Sequence, residues 1–391
     1  MTDAEAGVIV GEPPGGPSLW ARRAAPRAGE AEVVVVGAGP AGCAAAIALA
    51  RAGRAVLLLE RAAEARESVC GEFLGPDAAA ALARLGLDLP ALGAVPLRRL
   101  RVAARARDAA VALPFPAWGL PRRLLDGALR EAARGAGVRF RCASVLGAEA
   151  AGPSWRLRLG GGEEIRAGRV VLATGKHALR GHPRRGAPSP GALGLKLHLR
   201  GPFPGPGDTV LLPFDGGYAG LQPLPGGGAN LCAALHGPPG EAARDPGALL
   251  ARVAAGTALG ARLLAPMEPA WARPLAVGGV PYGFRHRDDG AASDTLYRVG
   301  DQAAVIPSFT GSGVAVALHS GLAAAAAILD GAGARRFHAD WRRRAAGPMR
   351  WAGATAWLLR GVPYLTAAGA AAGPAALLLA ARRTRIGDGR S

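Results

Sequence analysis

The segment 33–60, "VVVVGAGPAGCAAAIALARAGRAVLLLE", constrains this chain more than any other. It sets Gly37, Gly39 and Gly42 between a run of valines and a long alanine-rich stretch. A continuous β-branched run is what a parallel strand buried on both faces requires. The glycine spacing lets the chain turn sharply at Gly37, bring backbone against a pyrophosphate at Gly39, and pack a helix onto the strand at Gly42. That helix presents its N-terminal NH groups to the anion. The next strand, Ala55 to Leu59, ends at Glu60, where a carboxylate can accept both ribose hydroxyls and disfavours a 2′-phosphate. The segment predicts a Rossmann-like unit holding FAD or NAD rather than NADP, with Glu60 and Arg61 among the cofactor contacts.

At 391 residues and 50% hydrophobic content, the chain can bury a sizeable core as two lobes or one large discontinuous domain. The formal charge of +18 invites a nucleic-acid reading, but only two of the 47 basic residues, Lys176 and Lys196, are lysines, and the arginines are scattered. No nucleic-acid module is expected. The densest run, "LRRLRVAARAR" at 97–107, alternates as a strand with one wet face does. Cys43, Cys70, Cys142 and Cys232 form no CxxC pair, which speaks against a zinc site or disulfide framework and fits a reducing cytoplasm. His177 and His198 lack partners at metal spacing, so no metal is expected. Residues 1–32 lack the basic start and apolar core of a secretory signal and read as a flexible extension.

A downstream segment decides between FAD and NAD. "LYRVGDQAAVIPSFTGSGVAVALHSGLAAAAAIL" reads as a strand at Leu296–Val299, then Gly300 and Asp301, then a loop through Pro307 into a helix beginning near Gly311, with Gly313 in its first turn. A strand ending in Gly-Asp can put its carboxylate on the ribityl chain of a flavin, while the helix dipole stabilises negative charge on the ring. NAD has no use for that arrangement.

Together, "GAGPAG" with Glu60 and "GDQAAVIPSFTGSG" resemble the FAD-binding fold of the para-hydroxybenzoate hydroxylase and geranylgeranyl reductase superfamily, over nearly the whole chain from Val33. "PRRLLDGALREAARGAG" resembles its Arg-x-x-Leu-Asp helix, which implies that Arg122 touches FAD and Asp126 anchors the helix. "RVVLATGKHALRG" resembles its Ala-Thr-Gly strand end, and "SVCGEFLGPDAAAALARLG" the Cys-Gly-Glu loop of geranylgeranyl reductases. In detail the chain is most similar to uncharacterised bacterial FAD-dependent monooxygenase-like proteins. Departures matter too. Flavin halogenases carry Gly-Trp-x-Trp-x-Ile-Pro, and prenyl reductases Tyr-x-Trp-x-Phe-Pro, where this chain has "GYAGLQP" at 217–223. Thr174 and Gly175 stand where aromatic hydroxylases have Asp-Gly, so the resemblance leaves the electron donor open between NAD(P)H and a separate flavin reductase or carrier.

The expected architecture is α/β: a Rossmann-like FAD-binding domain of glutathione-reductase type (33–95, 118–182 and 288–332), an inserted β-sheet substrate domain (96–117 and 183–287), and a C-terminal helical segment (333–391). The uncharged stretch 361–381 reads as two short buried helices broken by Pro363 and Gly373-Pro374, with peripheral membrane contact as a lesser reading of this otherwise cytoplasmic chain. The resemblance implies a monooxygenase that hydroxylates or epoxidises an apolar or aromatic secondary metabolite through a flavin C4a-hydroperoxide. The alternatives are a reductase of prenyl or lipid double bonds and a non-catalytic flavoprotein. Its implied catalytic candidates are Glu72, Lys196 and Tyr218: Lys196 to help deprotonate a phenol or fix an acidic group, Tyr218 to orient an oxygen.

Overall fold

The valine run forms the middle of a seven-stranded sheet: β1 (Glu30–Val36) has Val33, Val34 and Val35 wholly buried. The computed structural model describes residues 30–104, 107–203, 205, 207–287, 293–361 and 374–386. Parallel neighbours flank β1 on both sides, β2 (Val56–Glu60) and β9 (Glu164–Leu172), with Val36 level with Leu59 and Leu172. β6 (Arg139–Cys142) continues the sheet beyond β2. On the other side β9 divides its length: its start pairs antiparallel with β8 (Ser154–Leu159), which pairs with β7 (Val145–Ala151), and its end pairs parallel with β16 (Leu296–Arg298). The carboxyl ends of the parallel strands therefore share one edge, where open α/β sheets bind ligands.

On one face of this sheet lie α1 (Pro40–Arg51), α3 (Arg122–Gly135) and α6 (Gly313–Leu329), in a core shared with α2 (Pro76–Arg84). The approach of α1 to α6 depends on Gly321, because a Cβ there would lie 2.2 Å from the Ala41 carbonyl oxygen. β1 begins at Glu30, inside the segment 1–32 expected to be a flexible extension. Ala31 is buried and pairs with Ala167, so the edge of β9 recruits residues that carry no strand signal of their own. The remainder of that expected extension, 1–29, lies outside the described residues.

The second sheet has nine strands. β4 (Val95–Ala104) and β5 (Arg107–Gly119) come from early in the chain. β10 (Ala192–Arg200), β11 (Asp208–Phe214), β12 (Gly217–Pro223) and β13 (Ala229–Leu235) come from its middle. In space the order runs β10, β13, β12, β11, β4, β5, with short strands at the margins. Alternation sorts the two faces. Leu195, Leu197, Val210, Leu212, Ala219 and Leu221 point to one side and form a core with α4 (Pro246–Ala254) and α5 (Ala258–Leu264). The other side carries a cross-strand row in continuous register, Lys196, Cys232, Gly220, Leu211 and Val102, and faces the first sheet's ligand edge.

The C-terminal helices are α7 (Ala334–Gly361) and α8 (Pro374–Arg383). The expected pair of short helices in 361–381 falls partly on 362–373, outside the described residues. Among the described residues no helix is long and apolar enough to cross a membrane. The expected α/β class, with a Rossmann-like unit, a β-sheet lobe and C-terminal helices, is the architecture observed.

Candidate functional site

A cavity of about 850 Å³ lies between the carboxyl edge of the first sheet and the open face of the second. Gly37 has a φ of +106°, and a Cβ on it would sit 2.4 Å from the Ala173 carbonyl oxygen. A Cβ on Gly42 would sit 1.9 Å from the Gly37 carbonyl oxygen. Both glycines are thus required by the protein's own packing. Gly39 differs: its Cβ would meet only Arg122 Nη2, at an ordinary 3.7 Å, so nothing in the chain itself excludes a side chain there. What needs a bare backbone is whatever approaches from the cavity, which Gly39 lines.

Neither helix that ends at this cavity has a side-chain cap. α1 starts after Gly39 and α6 after Ser312, and both N-termini open toward the same space with their first NH groups unpaired by capping side chains. Two such ends on one cavity suit a ligand with a pyrophosphate at one place and an electron-accepting ring at another. Glu60, also in the wall, has its carboxylate fixed by the Ala38 amide (2.9 Å) and the Ala62 amide (3.2 Å), with Arg130 Nη2 4.0 Å away. Arg61 lines the cavity beside it. Arg122 Nε and Nη2 donate to the two oxygens of Asp126 at 2.9 and 2.7 Å, which orients the guanidinium beside Gly39. These residues fit FAD.

At the other end, Gly300 adopts a φ of +59° and donates its amide to Ser320 Oγ (2.8 Å). Asp301 lines the cavity, with Lys176 Nζ 3.6 Å from its carboxylate. Gln302 donates to the Gly175 and His177 carbonyls (2.7 and 3.0 Å), tying the Gly-Asp turn to the end of β9. Gly311, at φ +65°, makes way for the Phe73 ring, 2.5 Å from where a Cβ would be. The helix expected near Gly311 begins at Gly313, because the left-handed turn at Gly311 must finish first. Gly37, Gly39, Gly311 and Gly313 reach the cavity; Gly42 and Pro307 lie behind its wall.

Lys196 corrects an expectation. Expected near the ring or the substrate pocket, it is wholly buried behind the cavity wall, where its ammonium bonds Glu67 Oε2 (2.5 Å) and Glu72 Oε1. His198, which has no partner at metal spacing in the sequence, lies 3.5 Å from Glu72 Oε2 and 3.9 Å from Glu67 Oε2 and stacks on Trp271. Glu67, Glu72 and His198 bring potential metal ligands within 4.8 Å of one another, but the Lys196 ammonium bonds both carboxylates as a cation would. Burial pushes the Glu72 carboxyl up, yet His198, Lys196 and the Arg122 amide together hold it below the ordinary range. Glu72 is also the one non-glycine residue with positive φ (63°) among the described residues. Such strain costs on the order of 1–3 kcal/mol and persists only where the surroundings over-determine it. Here the surroundings are Lys196 from the second sheet and the Arg122 amide (2.8 Å) from the first lobe, so Glu72 is a crossbeam between the two.

Tyr218, the third candidate, does reach the cavity wall. Its hydroxyl lies 2.8 Å from Ser308 Oγ, and Tyr282 Oη donates to the same Ser308 Oγ at 2.9 Å. Burial pushes both phenols up, Tyr282 well up, so both stay protonated at neutral pH. From Tyr218 the wall continues along the second sheet through Gly220, Leu211, Val102, Leu113 and Phe115, a surface without charge. Arg385 is a cation in this wall, held by the Thr310 carbonyl and set over the Phe73 and Phe115 rings at 5.4 and 5.1 Å. Glu67, Tyr282 and Ser308 were missed from sequence. Glu67 and Tyr282 sit in no periodic or motif-like stretch, and Ser308, although inside the motif 300–313, gains its partners, like the other two, only through the fold.

The sequence pattern of the pyridine nucleotide-disulphide oxidoreductase family matches residues 31–196. The chain is 30% identical over 329 residues to menaquinone reductase of Mycobacterium tuberculosis, an alignment covering 75% of this chain and 76% of that one. It is 55% identical over 58 residues to squalene epoxidase of Gibberella zeae, which is 15% of this chain and 12% of that one. Among solved structures, the flavin-dependent brominase Bmp2 superposes with a TM-score of 0.74 at 19% identity, over 91% of this chain and 94% of that one. That last likeness is one of fold.

Proposed function

The chain belongs to the FAD-dependent oxidoreductases, in the family of the mycobacterial menaquinone reductases, and from that premise we propose that it saturates a carbon–carbon double bond in a long apolar, isoprenoid-type chain. The observation that carries this reading is the stretch of cavity wall that crosses β12, β11 and β4 in register without a charged side chain and continues to Leu113 and Phe115 of β5, where Arg385 lies over the Phe115 ring. Neighbouring strands lie about 4.8 Å apart, so the crossing is roughly 15 Å long, enough for an extended hydrocarbon of several isoprene units. Gly220 keeps its entry open, since a Cβ there would meet nothing nearer than the Cys232 carbonyl oxygen at 3.9 Å. Menaquinone itself carries an isoprenoid tail. The sequence alone favoured oxygenation, but the relative that aligns with three quarters of the chain is a reductase.

Bound FAD supplies two-electron redox chemistry, with electrons drawn from NAD(P)H or a separate reductase. The protein's part is to hold and enclose. The α1 terminus and Gly39 would take the pyrophosphate, Glu60 the ribose, Asp301 the ribityl chain and the α6 terminus the ring. Glu72, pinned by Lys196 and the Arg122 amide, would hold the Cys70–Glu72 loop as a wall that excludes water.

A second reading, oxygenation of the same kind of chain, is favoured by the squalene epoxidase stretch. Product mass separates them. Purified holoprotein supplied with a prenylated quinone and an electron donor should yield product heavier by two hydrogens, without oxygen, under anaerobic conditions. A product heavier by one oxygen atom, formed only in air, would overturn the reductive reading.

A further inference from the structure

The C-terminal helices hold a concentration of charge that the cavity does not use. Residues 333–391 contain 11 arginines against Asp340 and Asp388, a net charge of +9 and half of the +18 of the whole chain. Asp340 is paired with Arg343 and Arg336. Among the described residues three large apolar side chains are exposed, and two of them, Trp351 (41%) and Leu379 (44%), lie on α7 and α8. The Arg383 guanidinium sits over the Trp351 ring at 5.8 Å, and Leu379 lies one turn before Arg383, so the two apolar residues share one surface. Arg350 and Arg382, both exposed, stand beside them. The other side of the same helix pair is cavity wall: Thr355, one turn after Trp351, lines the cavity, as do Ala381, Thr384 and Arg385. This wall is fixed from below, since Ser312 Oγ donates to the Thr384 carbonyl (3.0 Å) and Asp77 Oδ2 accepts the Ile386 amide (3.0 Å). One layer of helix therefore separates the cavity from a surface of arginines and exposed apolar groups.

We propose that the α7–α8 surface lies on an anionic lipid bilayer and holds the β5 end of the cavity one helix layer away from the acyl chains in which a long apolar substrate resides. That purpose, though not the geometry, rests on the isoprenoid reading above. A second copy of the chain would bring +9 against +9, and a nucleic acid has no use for Leu379. A negatively charged bilayer suits both kinds of group. Arginines meet its headgroup phosphates, tryptophan favours the interface, and leucine enters the boundary of the acyl chains.

The test is co-sedimentation of the FAD-loaded protein with vesicles of phosphatidylcholine, alone or with about 30 mol% phosphatidylglycerol. Wild type should bind the anionic vesicles at least ~10-fold more tightly at low salt and lose that difference at about 0.5 M. Arg350→Gln with Arg382→Gln should weaken the binding ~10-fold or more. Arg139→Gln with Arg166→Gln, which removes the same charge from exposed positions on the first sheet, should change it less than about threefold. Trp351→Ser with Leu379→Ser should also weaken it, by ~10-fold, with flavin content unchanged. Equal binding to the two kinds of vesicle would overturn the proposal. So would an equal loss in the two arginine pairs, because overall charge would then be the cause. A dimer in sedimentation velocity that Trp351→Ser with Leu379→Ser returns to monomer would give the face to a second copy and overturn it too. No substrate or turnover enters these assays, so membrane docking can fail while the double-bond reading stands, and the reverse.

Discussion

The two sheets line the cavity by opposite means. In the first, the cavity is lined largely by backbone: Gly37, Gly39, Gly300 and two uncapped helix ends, with the Glu60 carboxylate fixed by the Ala38 and Ala62 amides and Gln302 holding the Gly-Asp turn in place. In the second, side chains face the cavity, a row assembled from β10, β13, β12, β11 and β4 and anchored at one end by the Lys196 ion cluster. Backbone sites need a particular residue, glycine, at fixed local spacing. Side-chain rows need only one residue of the right size from each strand, so their identity is free to drift while their geometry stays. Conversely, Gly37 and Gly42 of the first sheet leave no room for a Cβ, and the second sheet buries the Lys196 charge against Glu72.

The contrast is broken most severely at Gly42. Adding a methyl group drives Cβ to 1.9 Å from a backbone oxygen that cannot yield without moving the β1–α1 turn. Gly42→Ala should cost more than about 4 kcal/mol and yield protein without flavin, measured by the ratio of flavin to protein absorbance and by thermal melting. In the second region the comparable blow falls on charge. Lys196→Met leaves Glu67 and Glu72 facing each other without their cation and should cost about 3–5 kcal/mol. Adding Glu72→Gln should restore part of the loss, and a double variant no better than the single one would mean that the cluster is not the crossbeam described.

How much of this was legible follows from the same contrast. The glycines, Glu60 and the Gly300-Asp301 turn could be named from sequence because backbone sites compress into a few adjacent residues. Lys196 could be placed on a strand but not understood. Its partner Glu67 lies 129 residues away, and no local pattern marks Lys196 as buried or joins the two. The Tyr218–Ser308–Tyr282 group is dispersed over 90 residues, held together only by the return of β16 and α6 beneath the second sheet.

Acid should separate the two regions along the pH axis. Burial, with His286 and Arg298 nearby, pushes His338 down to about 3, and its Nε2 accepts the Arg298 amide (3.0 Å) on the strand that leads to Gly300 and Asp301. A folded value below the ordinary 6.5 means that only the opened chain takes up the proton. Its contribution is whole above about 6.5 and is lost as pH falls toward 3, on the order of 5 kcal/mol in all. Glu72, held below the ordinary carboxylate range, keeps its contribution until lower pH and loses it as pH falls through its own value. Melting temperature should therefore begin to fall near pH 6.5, and His338→Gln should flatten that early slope while leaving the later one. An early slope unchanged by His338→Gln would mean that the protons are taken up elsewhere, at His177 or His182, which burial also holds down.

The smallest expected effect is the sharpest. Gly39 shares a motif with Gly37 and Gly42, but the chain itself leaves room for a Cβ there, 3.7 Å from Arg122 Nη2. If the first sheet's site is built of backbone for a ligand's sake, Gly39→Ala should leave the flavin-free protein within about 0.5 kcal/mol of wild type, since its φ of −84° is one that alanine adopts freely. The same methyl group would stand where the pyrophosphate must approach, so FAD affinity should fall at least ~10-fold in a fluorescence titration. Gly42→Ala cannot make this separation, because it damages fold and site together. A Gly39→Ala protein that melts early even without flavin would mean that all the motif's glycines serve packing. One that binds FAD as tightly as wild type would move the pyrophosphate away from the α1 terminus, and with it the assignment of this edge of the first sheet to the cofactor's adenosine half.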